Sequence, residues 1–233
     1  MPKRIRYEDL GLIDYKKAWD YQESILEDMV RQRSPESVPS ESKAPAGHLI
    51  FCEHPHVFTI GKSGSEKNLL IHRDQLNAHG ASYYRINRGG DITYHGPGQI
   101  VGYPIFDLSK MGLGPKKYID LLEESVIRTL KEFGLSGERL EGAIGVWLET
   151  SDPGRARKIC AIGVRVSRQV TMHGFAFNVS TNLDFFRYIN PCGFIDKGVT
   201  SMDQEITAEV DITRVKENLK QQIINVFQVD LVE

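Results

Sequence analysis

Two side chains in this 233-residue sequence stand out for the chemistry they could do. Cys192 lies in Asn190-Pro191-Cys192-Gly193, where a proline before and a glycine after set the thiol on a constrained turn. A sulfur held so can face a cleft, and backbone N–H groups near Gly193 can point at an oxyanion. A buried, inert thiol is the competing reading, and the commoner state of free cysteines. Lys158 opens the apolar run Ile159-Cys160-Ala161-Ile162-Gly163-Val164. Strand alternation predicts that Lys158, Cys160 and Ile162 share one face. A lysine there is either a working amine or an edge residue that snorkels to solvent.

A third segment runs from Arg88 to Gly98 and carries four glycines in eleven residues. Those glycines let the backbone approach a ligand closely, and Arg88, Tyr94, His95 and Gln99 add polar groups around it. It has neither the Gly-Lys-Ser/Thr of a phosphate loop nor the spacing of a dinucleotide fingerprint. A tight double turn between strands would explain the same glycines. Cys52-Glu53-His54-Pro55-His56 also brings together metal-ligating residue types. No second Cys/His pair accompanies it at the spacing zinc requires, so neither a metal nor a cofactor is expected. The histidines are expected to bond backbone groups.

The elements that must position these groups are legible in outline. Apolar side chains at Ala18, Trp19, Ile25, Leu26, Met29 and Val30 predict an amphipathic helix over 14–33. A second helix is predicted over 115–133, opened by Pro115 and stopped by Gly134, and a third over 213–227, with a short helical segment at 183–188. Strands are predicted at 48–53, 57–60, 83–87, 99–106, 143–149, 159–166 and 170–179, with a turn at Asp152-Pro153-Gly154. Helices flanking a strand-rich middle, without βαβ alternation, favour an α+β fold with a mixed sheet core. Residues 33–45, rich in Ser, Pro and Glu, read as a surface loop within one domain spanning 1–233.

Composition narrows the function classes. The net charge of −2 argues against a general nucleic-acid binder, and no apolar run is long enough to span a bilayer. The basic N-terminus is not followed by an apolar signal core. Three cysteines do not suggest a disulfide framework, so a cytoplasmic, reducing compartment is expected.

Taken in order, several blocks resemble the octanoyl-carrier-protein:protein octanoyltransferases of the biotin and lipoate protein ligase superfamily. They are Glu53-His54-Pro55 with Thr59-Ile60-Gly61, Arg88-Gly89-Gly90 with Tyr94-His95-Gly96-Pro97-Gly98-Gln99, and Lys158 to Arg165. His173-Gly174-Phe175-Ala176-Phe177-Asn178 and Pro191-Cys192-Gly193 with Thr200-Ser201 complete the set. The resemblance implies a fold shared with those ligases and an acyl-thioester on Cys192, with Lys158 as its acid/base partner. It implies a substrate site lined by Arg88, Gly89, Gly90, Tyr94, His95, Gly96, Ala161, Ile162, Gly163, His173, Gly174, Phe175, Ala176 and Gly193. Cys160 stands where alanine is common in the family, and so places a second thiol near the site.

The resemblance further implies octanoyl-acyl carrier protein as donor. The implied acceptors are the lipoyl domains of 2-oxoacid dehydrogenases and the glycine cleavage H protein. Arg85, Arg88, Arg155, Arg157, Arg165 and Arg168 are candidates for a face that docks an acidic carrier. His95 or His173 is expected to assist the oxyanion. The alternatives are an ATP-dependent lipoate or biotin protein ligase, which needs no cysteine, an amidotransferase between lipoyl domains, and a non-catalytic binder of the same partners.

Overall fold

The computed structural model describes residues 3–33, 45–191 and 197–232. Most of the predicted loop at 33–45 therefore lies outside the described residues, as do Cys192 and Gly193.

The elements in chain order are β1 (Lys3–Leu12), α1 (Tyr15–Arg31), β2 (Gly47–Glu53), β3 (Val57–Ile60), α2 (Arg73–Ala78), β4 (Ser82–Arg85) and β5 (Ile92–His95). They continue with β6 (Gln99–Phe106), α3 (Leu108–Met111), α4 (Pro115–Glu132), β7 (Glu138–Leu140), β8 (Ala143–Leu148), β9 (Arg157–Ser167) and β10 (Val170–Asn178). The last are β11 (Gly198–Val199), α5 (Met202–Glu205), α6 (Ile212–Phe227) and β12 (Val229–Val232). Among the described residues the main sheet has nine strands in the order β12-β1-β2-β6-β10-β9-β8-β7, with β11 beside β9. A smaller sheet of order β4-β3-β5 accompanies it. Parallel and antiparallel pairs mix in both, and the fold is the expected α+β arrangement.

Strand alternation divides the main sheet between two apolar layers. Phe106, Phe175, Phe177, Ile159 and Cys160 pack on one face with Tyr118, Leu122 and Val126 of α4 and Leu219 and Ile223 of α6. Val101, Tyr103, Ile105 and Met172 face the other way, against Ala18, Ile25, Leu26 and Met29 of α1. The Asp14 side chain starts α1 by accepting from Lys17 N at 3.1 Å, which satisfies one of the open donors of its first turn. The functional groups collect on this second face, where α1 covers only part of the sheet.

Several elements differ from expectation. The segment 88–98 is not all loop, because β5 pairs antiparallel with β3 through its middle. Residues 183–188 form a 3₁₀ turn rather than an α-helix. β1 was not foreseen, since half of its residues are charged and only Ile5 is fully buried. It forms by parallel pairing with both β2 and β12, which no local pattern announces.

Candidate active site

Lys158 enters the site through a β-bulge. Val146 of β8 pairs with Cys160 and the next residue, Trp147, pairs with Lys158, so Ile159 is an extra residue on β9. The bulge breaks the alternation expected from the sequence. Lys158 comes into phase with Ala161 on the α1 face, while Cys160 joins Ile159 in the opposite core layer. The Lys158 Nζ donates to the Ile144 carbonyl at 3.1 Å and stands 4.6 Å over the Trp147 ring. Trp147 is itself fixed by donating from Nε1 to Ala143 O at 2.8 Å.

Cys160 is fully buried, and burial pushes its thiol up, away from the thiolate a nucleophile needs. It is a core residue rather than a second thiol in the site. Cys52 is buried on the α1 side with its thiol likewise raised by burial.

Three cavities share walls around Lys158. The first is lined by Lys158, Thr93, Gln99, Ala161, Ala176, Asn178, Phe186, Pro191 and Val199. Thr93, Ala161 and Ala176 also line a narrow, mainly apolar slot that runs on past Gly163, Gly174 and Phe175 to Tyr15 and Tyr103. Lys158 also borders a wider cavity of about 520 Å³, whose wall includes Gly89, Gly90, Ile144 and Val164.

The chain is fastened on both sides of residues 192–196. Before them, Leu69 bridges to Ile189, and Asn190 N donates to Asn68 O at 2.8 Å. After them, Val199 pairs with Lys158, and Thr200 N donates to Lys158 O at 3.0 Å. A bidentate ion pair of Arg157 with Glu205, both contacts at 2.6 Å, secures the same stretch, because the Thr200 hydroxyl donates to Glu205 at 2.5 Å.

Behind the slot lies a directed hydrogen-bond chain. Gln99 Nε2 donates to Asn178 Oδ1 at 2.9 Å and Tyr94 O at 3.2 Å, which leaves its Oε1 to accept from His95 Nδ1 at 2.9 Å. His95 Nε2 is then the acceptor for the Thr59 hydroxyl at 3.3 Å, while Thr59 receives Arg88. Burial, then His54 and Arg88 nearby, push His95 down to about 3. With both nitrogens engaged by Gln99 and Thr59, His95 lines the slot from a fixed position. His173 is also pushed down to about 3 by burial, and its Nε2 meets Asn87 Oδ1 at 2.7 Å. Its φ of +61° is unusual for a residue with a side chain.

The expected site residues therefore divide. Arg88, Gly90, His95, Ala161, Ile162, Gly163, His173, Gly174, Phe175 and Ala176 meet around the slot, and Gly89 lines the wider cavity. Tyr94 and Gly96 line none of these walls. The Tyr94 ring turns into a separate cluster, stacks on Phe185 at 4.9 Å and bonds His56 Nδ1 through its hydroxyl at 2.7 Å. A side chain at Gly96 would collide with that hydroxyl, at 1.9 Å, so this glycine serves packing. Tyr15, Thr93 and Val101 were missed; alternation outward from Gln99 would have found Val101.

Among the expected docking arginines, Arg88 is buried, and Arg155 and Arg157 are paired with Glu149. These three are therefore engaged within the fold. His54 bonds the Ile13 carbonyl through Nδ1 and the Tyr103 hydroxyl through Nε2. No helix among the described residues is long and apolar enough to cross a membrane.

The family model of the lipoyl protein ligase A/B catalytic domain matches residues 14–224. An octanoyltransferase from Flavobacterium johnsoniae is 51% identical over 233 residues, covering 100% of both chains. That from Parabacteroides distasonis is 53% identical over 222 residues, covering 95% of this chain and 98% of its own. The chain belongs to the octanoyltransferase family. Its fold is also that of a solved lipoate-protein ligase A bound with ATP, with a TM-score of 0.67 at 17% identity over 100% of this chain and 88% of that one. At that identity the likeness speaks for the fold alone.

Proposed function

We propose that this octanoyltransferase takes its acyl group from an acyl-carrier-protein thioester, holds it on Cys192, and passes it to a lysine amine. The acceptors are lipoyl domains of 2-oxoacid dehydrogenases and the glycine cleavage H protein, and the setting is the cytoplasm, where the thiol stays reduced. One observation carries the reading. Lys158 and Pro191 wall the same cavity, and that cavity shares Thr93, Ala161 and Ala176 with the apolar slot. Consecutive Cα atoms are about 3.8 Å apart, so Cys192 starts within one residue of that wall.

The chemistry balances without nucleotide. Lys158 receives the Cys192 proton, the thiolate attacks the donor carbonyl, and the carrier sulfur departs with a proton returned from Lys158. In the second half the acceptor amine attacks the acyl-enzyme, an amide forms, and its lost proton restores the Cys192 thiol. Exchange of thioester for thioester is near thermoneutral, and thioester to amide is downhill. Backbone N–H groups near Gly193 are the oxyanion donors in this reading.

Intact-mass measurement after mixing with an octanoyl thioester tests it. The wild-type chain and Cys160→Ala should carry one octanoyl adduct, Cys192→Ala none, and Lys158→Ala should acquire it at least about tenfold more slowly. An undiminished adduct on Cys192→Ala, or a requirement for ATP, would overturn the mechanism.

A further inference from the structure

The apolar slot has a fixed far end. On the α1 face, β6 presents Gln99, Val101 and Tyr103 in succession, and β10 presents Asn178, Ala176 and Gly174. Strand pairing sets Gln99 beside Asn178, Val101 beside Ala176, Ala176 beside Ala161, and Gly174 beside Gly163. The residues form successive rows leading away from Lys158. Gln99 and Asn178 belong to the Lys158 cavity, Val101, Ala176 and Ala161 to the start of the slot, and Tyr103, Gly174 and Gly163 to its end. Small residues keep the floor open along β9 and β10, and bulk returns at the last row, where Arg88 also lies against Gly163.

That last row is closed by two clamped tyrosines. Tyr15, the first residue of α1, is only 3% exposed; it stacks on His95 at 5.8 Å and on Tyr84 at 5.6 Å, and meets the edge of His54 at 5.1 Å. Tyr103 is equally buried, and its hydroxyl bonds His54 Nε2 at 2.7 Å. His54 is held in turn by the Ile13 carbonyl, to which its Nδ1 donates at 2.7 Å. Both rings are thus buried and held by more than one neighbour.

We infer that Tyr15 and Tyr103 measure the acyl chain, so that the docking of α1 against β6 sets the chain-length limit of the transfer. This rests on the acyl-enzyme reading above. From Asn178 to Gly174 the strand advances about 13 Å at roughly 3.3 Å per residue. An extended chain gains about 1.3 Å per carbon, so eight carbons span about 9 Å and twelve about 14 Å. Eight carbons lie within the rows; twelve drive the terminal methyl into the tyrosine wall.

The test is a series of acyl-pantetheine thioesters of four to fourteen carbons, with the adduct on the full chain followed by intact mass. Wild type should acylate fastest near eight carbons and at least about tenfold more slowly at twelve. Tyr15→Ala should raise the twelve-to-eight ratio tenfold or more. Val101→Phe fills the row nearer Lys158 and should move the optimum to six carbons or fewer. If Tyr15→Ala fails to fold, as a thermal melt would show, Val101→Phe alone decides. Adducts that form with the wild-type length profile in the folded variants would overturn the measuring role and leave the acyl-enzyme intact. Absence of any adduct on wild type at every length would overturn the acyl-enzyme itself, and the measuring role with it.

Discussion

The Lys158 side chain lies over Gly145, and a Cβ at Gly145 would stand 3.4 Å from Lys158 Cε and 2.5 Å from the Cys160 carbonyl oxygen. The glycine sits opposite the bulge that brings Lys158 into the site, and its φ of +124° is one that other residues rarely adopt. Gly145→Ala must therefore shift the backbone of β8 or of the bulge to clear the Cys160 carbonyl, and that shift moves Lys158 with it. The expected outcome is a loss of acyl transfer of at least about tenfold, with stability lower by about 1–3 kcal/mol. Single-turnover acylation and a urea midpoint measure the two separately. A variant with wild-type acylation would show that the bulge does not set the position of Lys158.

Three buried histidines make the fold sensitive to acid. His54 is pushed down to about 4 and His95 and His173 to about 3, each chiefly by burial, against about 6.5 in an unfolded chain. Between those values the unfolded chain binds protons that the folded chain refuses. Their stability contribution is complete above about pH 6.5 and is lost as the pH falls toward 3 to 4. The loss is about 1.4 kcal/mol per histidine for each pH unit, or roughly 4 kcal/mol per unit for three acting together. Urea midpoints should be flat between pH 7 and 8 and fall steeply from pH 6.5 to 5.5. Equal midpoints at pH 7.5 and 5.5 would mean that these rings are protonated in the folded protein.

How much of this could be read from residues alone depends on whether the signal was local. The helices at 15–31, 115–132 and 212–227 follow from apolar stripes and capping residues, and they match expectation within a few positions. Lys158 and the glycines around it were recognisable as a set. The bulge at Ile159 was not, because it exists only through the register of β9 on β8, two strands joined across a turn. The same holds for Tyr94 and His95, adjacent residues of β5 that face opposite ways. Only the pairing of β5 with β3 decides that the histidine meets the slot and the tyrosine meets Phe185. Tyr15 could be seen as the start of a helix, but its contact with His95 depends on where that helix docks.

Asp91 offers a test of how the Pro191 turn is held in place. Its Oδ1 accepts from Ile92 N at 2.7 Å and Ser65 N at 3.2 Å, and its Oδ2 accepts from the Asn68 side chain. Asn68 in turn accepts Asn190 N on its carbonyl, immediately before Pro191. A carboxylate in the Gly-rich segment thus reaches the turn through one intervening residue. Asp91→Ala removes the link and should slow acylation of Cys192 by about tenfold or more, as expected for a small displacement of reacting groups. The pair Asp91→Asn with Asn68→Asp reverses donor and acceptor at the same contact, while Oδ1 of residue 91 keeps its two backbone donors. That double variant should recover most of the lost rate, and the pH dependence of Cys192 alkylation should return toward wild type with it. A double variant as slow as Asp91→Ala would show that the Asp91–Asn68 contact does not position the turn.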